Sequence, residues 1–135
     1  MNVDKNQGLG NVNFFNIDML DQGIARQLAD GMSTCVFPGE EAMISVVRIE
    51  PNKAGRRHSH PQEQWGLCVR GSGVRWQDGE EVKVSAGDFW RTPGGIEHGF
   101  TAGPNGAIVY DVFAPPREEY TKAGSGFGMT AERED

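Results

Sequence analysis

Short runs in which apolar and polar residues alternate, broken by glycines and turn dipeptides, set the pattern of this chain. Such alternation marks strands with one buried face. It predicts strands over residues 12–16, 24–28, 32–37, 42–50, 57–60, 64–70, 74–77, 81–84, 89–92, 99–101 and 107–114. Turns are signalled by Pro51-Asn52, Gly71-Ser72-Gly73, Asp78-Gly79, Ala86-Gly87-Asp88, Pro93-Gly94-Gly95 and Gly103-Pro104-Asn105-Gly106, all combinations that favour tight reversals. Asp78-Gly79 between two short strands predicts a hairpin. No apolar stripe has the length and period of a major helix, and only residues 116–122, with proline near the start, predict one short helical turn. Many short strands without a major helix predict an all-β, double-sheet β-barrel, a design that hides strand edges and leaves an interior.

Length allows one domain with a proper core. Residues 1–11 and 121–135, the latter ending AGSGFGMTAERED, are expected to be flexible, leaving a barrel over 12–120. The net charge of −6, with Lys and Arg scattered, argues against nucleic acid as a partner. No run approaches a membrane span, and the start MNVDKNQGLG lacks the regions of a signal peptide, so a cytoplasmic location without a membrane partner is expected. Cys35 and Cys68 show no CxxC spacing and are expected to be reduced thiols. Cys68 shares the parity of Gln64, and a small buried hydrophobe is the simplest account of it.

Candidate chemistry sits in two segments, Gly55-x2-His58-x-His60-x3-Gln64-x6-Gly71 and Gly87-x5-Pro93-x-Gly95-x2-His98. They contain all three histidines of the chain. Alternate residues of a strand share a face, so His58 and His60 would point the same way, about 6.6 Å apart along the chain. Two imidazoles do not complete a metal sphere, whereas a third, His98, just beyond a Pro-Gly-Gly turn, can join them. Gln64 shares their parity, although Pro61 could interrupt the strand. An ordinary histidine pair on a half-buried strand is the alternative.

The two segments resemble the two motifs of the cupin superfamily, G-x5-H-x-H-x3,4-E-x6-G and G-x5-P-x-G-x2-H-x3-N. The first glycine lies closer to His58 than that pattern asks, Gln64 replaces the usual glutamate, and Ala102 replaces the final asparagine. The resemblance implies a jelly-roll barrel, a homodimer, and a divalent transition metal on His58, His60, Gln64 and His98. Glu63 is a rival for the Gln64 position, but Gln64 has the right spacing to Gly71. Nitrogen and oxygen donors suit Zn, Mn, Fe, Co or Ni. A neutral carboxamide in place of glutamate leaves the +2 charge uncompensated, which strengthens the Lewis acid and weakens retention of the metal.

The final strand runs Tyr110-Asp111-Val112-Phe113-Ala114-Pro115-Pro116-Arg117-Glu118. Asp111 and Phe113 share a face, and an inward carboxylate needs a reason. Arg117 is placed to fold over the cavity mouth and clamp a substrate carboxylate. A structural Asp111–Arg117 ion pair is the competing account. This stretch is similar to the small cupins that linearise unsaturated uronates in pectin degradation. That resemblance implies catalytic roles for Asp111 and Arg117 and substrate contacts from Phe113 and Arg117. Alternatives are an Fe or Ni dioxygenase with an apolar pocket built from Phe113, Trp76 and Trp90, a lyase or cyclase on an aromatic substrate, and a non-catalytic module that binds a small molecule. Trp65 is expected to face outward, Trp76 and Trp90 to pack in the core, with lining of the cavity as the alternative, Arg75 and Arg91 to lie at the surface, with reach to an anionic substrate as the alternative, and Asp88 to stabilise its own turn.

Overall fold

The computed structural model describes residues 13–128. Its elements are β1 (Ile24–Ala29), β2 (Met32–Pro38), β3 (Met43–Ile49), β4 (Glu63–Gln77), β5 (Glu80–Ser85), β6 (Phe89–Thr92), β7 (His98–Ala114), a 3-10 turn over Glu118–Thr121, and β8 (Gly124–Ser125). Among the described residues there is no α-helix. The hydrogen-bonded order is β5-β4-β7-β3-β2-β1-β8, with β6 also paired to β4. The β1–β8 pair is parallel and the others are antiparallel. The sheet wraps round one core as a β-barrel.

The alternating pattern does the work the sequence assigns to it. Along β3, Met43, Ser45, Val47 and Ile49 are buried while Ile44 and Arg48 are exposed. Met32 and Val36 of β2 join Met43, Val47, Val109 and Phe113 in the core. Each large apolar side chain so buried contributes roughly 1.5–3 kcal/mol. The buried hydroxyls of Thr34 and Ser45 bond to each other, which removes the penalty of unpaired polar groups. At the predicted hairpin Asp78 has φ 49° and Gly79 φ 83°, as a primed two-residue turn requires.

Three sequence expectations are corrected. The separate strands expected at 64–70 and 74–77 are one bent strand, β4, and those at 99–101 and 107–114 are one strand, β7. Register shifts at Cys68/Arg70 and Gly71/Gly73 carry β4 through the bend, which is what bulges do. Gly71 has φ 80°, and a Cβ there would collide with the Gly106 carbonyl oxygen.

The strand expected over 12–16 does not form in its described part. Asn16 makes only an isolated bridge to Met19, and its Oδ1 accepts from the Asp18 amide at 2.8 Å, turning the chain.

The strand expected over 57–60 is a single bridge between His58 and His98. Pro61 follows at once and has no N–H to extend a ladder. In the described part of the C-terminal segment, β8 pairs with β1 and Phe127 is buried. Residues 1–11 of the expected flexible start, and 129–135 of the tail, lie outside the described residues.

Candidate metal centre and cavity

His58, His60 and His98 are 7%, 2% and 1% exposed, and their ligand atoms lie within 4.8 Å of one another. Reciprocal main-chain bonds between His58 and His98, 3.0 and 2.9 Å, lock two of them together. Each ring uses Nδ1 in the same way. His58 Nδ1 stands 2.9 Å from the Arg56 carbonyl, His60 Nδ1 3.1 Å from that of Gln62, and His98 Nδ1 2.8 Å from that of Ile96. A carbonyl only accepts, so each Nδ1 carries the proton and each Nε2 offers a lone pair inward. Such backbone contacts are the usual way in which metal-binding imidazoles are oriented.

Electrostatics keep the rings neutral. Burial pushes the pKa values down to about 3 for His58, about 4 for His60 and about 2 for His98, helped by the Arg117 and Arg75 guanidinium groups at His58 and His60 and by Arg75 at His98. His98 Nε2 is buried with no hydrogen-bond partner among the described residues. Gln64, 3% exposed, places Oε1 2.8 Å from His60 Nε2. With His60 Nδ1–H serving Gln62, two acceptors face each other there. A cation resolves both problems, the orphaned nitrogen and the opposed lone pairs, so the donor set fits a divalent transition metal.

Gln64 is turned toward His60 by its second contact. Its side chain hydrogen-bonds the Asp111 carboxylate, and only the amide N–H can donate to a carboxylate. Its neighbour Glu63 faces the other way and pairs with Arg91 at 2.6 Å, which settles the parity between them.

A cavity of about 40 Å³ adjoins these side chains, walled in part by Gln64, Asp111, Phe113, Arg117, Arg75 and Phe127. Burial raises the Asp111 pKa to about 6, opposed by Arg75, the Gln64 hydrogen bond and Arg117. No ion pair links Asp111 to Arg117 among the described residues. Arg117 is 1% exposed. Its guanidinium lies over the Tyr120 ring at 4.1 Å and the Phe113 ring at 5.3 Å, and Nη2 donates to the Phe127 carbonyl. Nε and Nη1 have no hydrogen-bond partner among the described residues.

Arg75 was expected at the surface and is instead 6% exposed, lining the cavity. It donates to Thr92 Oγ1 at 2.8 Å and to Gln77 Oε1 at 3.3 Å. The bulges decide which face Arg75 takes. Inward positions are even-numbered at Gln64, Gly66 and Cys68 but odd-numbered at Gly73 and Arg75, so a parity count carried through the bend assigns the wrong face. Trp76 and Trp90 do not line this cavity. Trp76 carries the Arg57 guanidinium at 3.9 Å, and Trp90 stacks on Phe100 at 6.0 Å. Trp65 is 44% exposed, facing outward as expected. Cys68 is buried, away from the cavity wall, and both cysteines are free. Asp88 accepts from the Ser85 amide at 2.9 Å within its own turn. Phe127 was missed because it lies in a glycine-rich segment without periodicity.

A family model described as a cupin domain matches residues 45–113. The chain belongs to the cupin family. Among solved structures, this cupin resembles an RmlC-like cupin from Shewanella frigidimarina, with TM-score 0.68 and 26% identity, over 74% of this chain and 90% of that one. It also resembles KdgF from Halomonas sp., with TM-score 0.66 and 24% identity, over 73% and 91%. Oxalate decarboxylase from Bacillus subtilis shares the fold, with TM-score 0.66 and 21% identity over 75% of this chain and 30% of that one. In sequence, the cupin is 32% identical over 66 residues to the dimethylsulfoniopropionate lyase DddW of Ruegeria pomeroyi, 49% of this chain and 43% of that protein. The match therefore spans less than half of the lyase.

Proposed function

We propose that this cupin is a metal-dependent lyase or isomerase acting on a small carboxylated, sugar-like substrate, of the unsaturated-uronate linearising type. The observation that carries this reading is Arg117: a buried guanidinium beside the histidine cluster with two nitrogens, Nε and Nη1, left without partners. A substrate carboxylate supplies the missing acceptors, and the fork geometry of arginine suits it. The cavity wall holds two buried cations, Arg75 and Arg117, and the exposed Arg56, against one carboxylate, Asp111, a balance that favours an anionic substrate. The family membership and the matched lyase support a cupin enzyme of this broad class.

In this reading His58, His60, His98 and Gln64 hold the metal, which when bound supplies Lewis-acid chemistry to a substrate oxygen. Arg117 holds the carboxylate, and Phe113 forms the apolar wall beneath it. Asp111 takes the proton of the anomeric hydroxyl as the ring C–O bond breaks to leave an aldehyde and an enolate, and returns it to the carbon end of that enolate, so that the reaction is an isomerisation with no other reactant. Gln64 donates to Asp111 and holds it in place. The dioxygenase alternative drew on Phe113, Trp76 and Trp90; Phe113 lines the cavity, but Trp76 and Trp90 lie off its wall. Turnover of 4,5-unsaturated galacturonate, followed by loss of the ring double bond, tests the proposal. Full turnover by the Asp111→Asn, Arg117→Ala double variant would sink it.

A further inference from the structure

The cavity is too small for the ligand its walls select. At about 40 Å³ it has room for a few waters, whereas ligand pockets run to roughly 300–1,000 Å³. Phe127 occupies part of the space beside the cavity. Its ring stacks on the His58 imidazole, centroids 4.3 Å apart at 27°. The ring tip rests where Gly55 lacks a side chain: a Cβ there would come within 2.6 Å of Phe127 Cζ.

The segment that carries Phe127 is held at two places by arginines. Arg26 on β1 donates from Nε to the Gly126 carbonyl at 2.8 Å, from Nη2 to that of Ser125 at 2.8 Å, and from Nη1 to those of Glu119 and Lys122 at 3.0 and 3.3 Å. Arg117 holds the Phe127 carbonyl itself. Gly126 and Gly128, which flank the phenylalanine, have φ of 80° and 95°, a conformation that glycine adopts freely. The short parallel pair of β8 with β1, Arg26 with Gly124 and Gln27 with Ser125, and the Gly126 amide, which donates to the Gln27 carbonyl at 2.8 Å, also attach it.

We propose that residues 124–128 form a strap that closes the metal cavity, with Phe127 as its plug and the Arg117–Phe127 carbonyl contact as its latch. The proposal rests on the reading of Arg117 as the carboxylate site. The incoming carboxylate competes with the Phe127 carbonyl for the guanidinium, the latch releases, and the ring leaves its place over His58. Arg26 is the hinge anchor that keeps the strap attached. Phe127 thereby becomes a residue that sets which substrates enter.

Two measurements on the full-length, metal-loaded protein test this. The first is the rate at which excess chelator strips the metal, which needs no substrate. Opening a closed site costs free energy, and tenfold in rate corresponds to about 1.4 kcal/mol. Phe127→Ala and Arg26→Met are expected to release metal about tenfold faster than the natural chain. Thermal melts identify a variant that has merely unfolded, and either folded variant suffices. The second is hydrogen exchange of residues 124–128 with and without millimolar D-galacturonate. The sugar acid is expected to speed exchange in the natural chain, while Arg117→Ala exchanges fast without it and does not respond. Equal metal-release rates in all folded variants overturn the strap. Faster release in the variants, but exchange unmoved by the sugar acid, keeps the strap and overturns the carboxylate-driven latch, so the failures of the two ideas are distinguishable.

Discussion

Gln64 Oε1 stands 2.8 Å from His60 Nε2, an oxygen facing a nitrogen that has already placed its proton elsewhere. The amide end of the same side chain is bound to Asp111. One carboxamide therefore joins the metal face of the cavity to the carboxylate proposed to move protons, and its orientation follows from which partner can accept.

Replacing Gln64 by glutamate changes both ends. The metal gains an anionic ligand, and the metal-free protein gains two carboxyl groups side by side. Gln64→Glu is expected to bind metal at least about tenfold more tightly. The same change is expected to lower turnover, because the Lewis acid is weakened and Asp111 loses its donor. Chelator competition and steady-state kinetics on one preparation check both halves.

The proton and carboxylate roles separate kinetically. Asp111→Asn is expected to lower kcat by about 10²- to 10⁴-fold, the usual range for loss of a general acid–base group. Arg117→Lys keeps the charge but loses the fork, and should chiefly raise KM. Metal content should stay near that of the natural chain in both, since neither residue is a ligand.

Metal content itself depends on convergence of the three rings. His98→Ala leaves two imidazoles and is expected to purify without stoichiometric metal, as is His58→Ala, by mass spectrometry on protein made without chelator or histidine tag. For the natural chain, chelation is expected to lower the melting temperature, because an ion that binds only the folded state stabilises it.

The metal-free protein has a definite pH signature. The buried histidines titrate at about 3, 4 and 2 against about 6.5 when unfolded. Between those values the unfolded chain binds more protons, so stability is full above about 6.5 and is lost as pH falls toward 4. Asp111 has the opposite sign: its pKa is raised from 3.8 to about 6, so its cost is present above 6 and vanishes below about 4. Three groups outweigh one, and the net loss on acidification should appear in denaturant midpoints. Metal-free Asp111→Asn should be more stable than the natural chain at pH 8, by up to about 3 kcal/mol, and no more stable at pH 4.

Much of the barrel was legible in the sequence because its information is local. Side-chain period and turn residues determine which stretches extend and where they reverse, and β1, β2, β3, β5 and β6 follow that pattern closely. His58, His60, Gln64 and His98 were legible because glycine, proline and histidine at fixed spacing constrain one another over a few residues. The sequence also determined that Asp111 and Phe113 share a face.

The tertiary structure alone decided the rest. Whether Arg75 points in or out depends on bulges near Cys68 and Gly71, and one inserted residue inverts every side chain beyond it. Whether Arg117 pairs with Asp111 depends on where the chain goes after β7: it meets the Phe127 carbonyl instead, and two of its nitrogens have no hydrogen-bond partner among the described residues. Phe127 comes from a glycine-rich stretch with no period to read, and its seat over His58 is set by Arg26, 100 residues from Gly126 in sequence. Contacts between groups so far apart along the chain leave no local pattern, because burial and hydrogen bonding reward proximity in space whatever the separation in sequence.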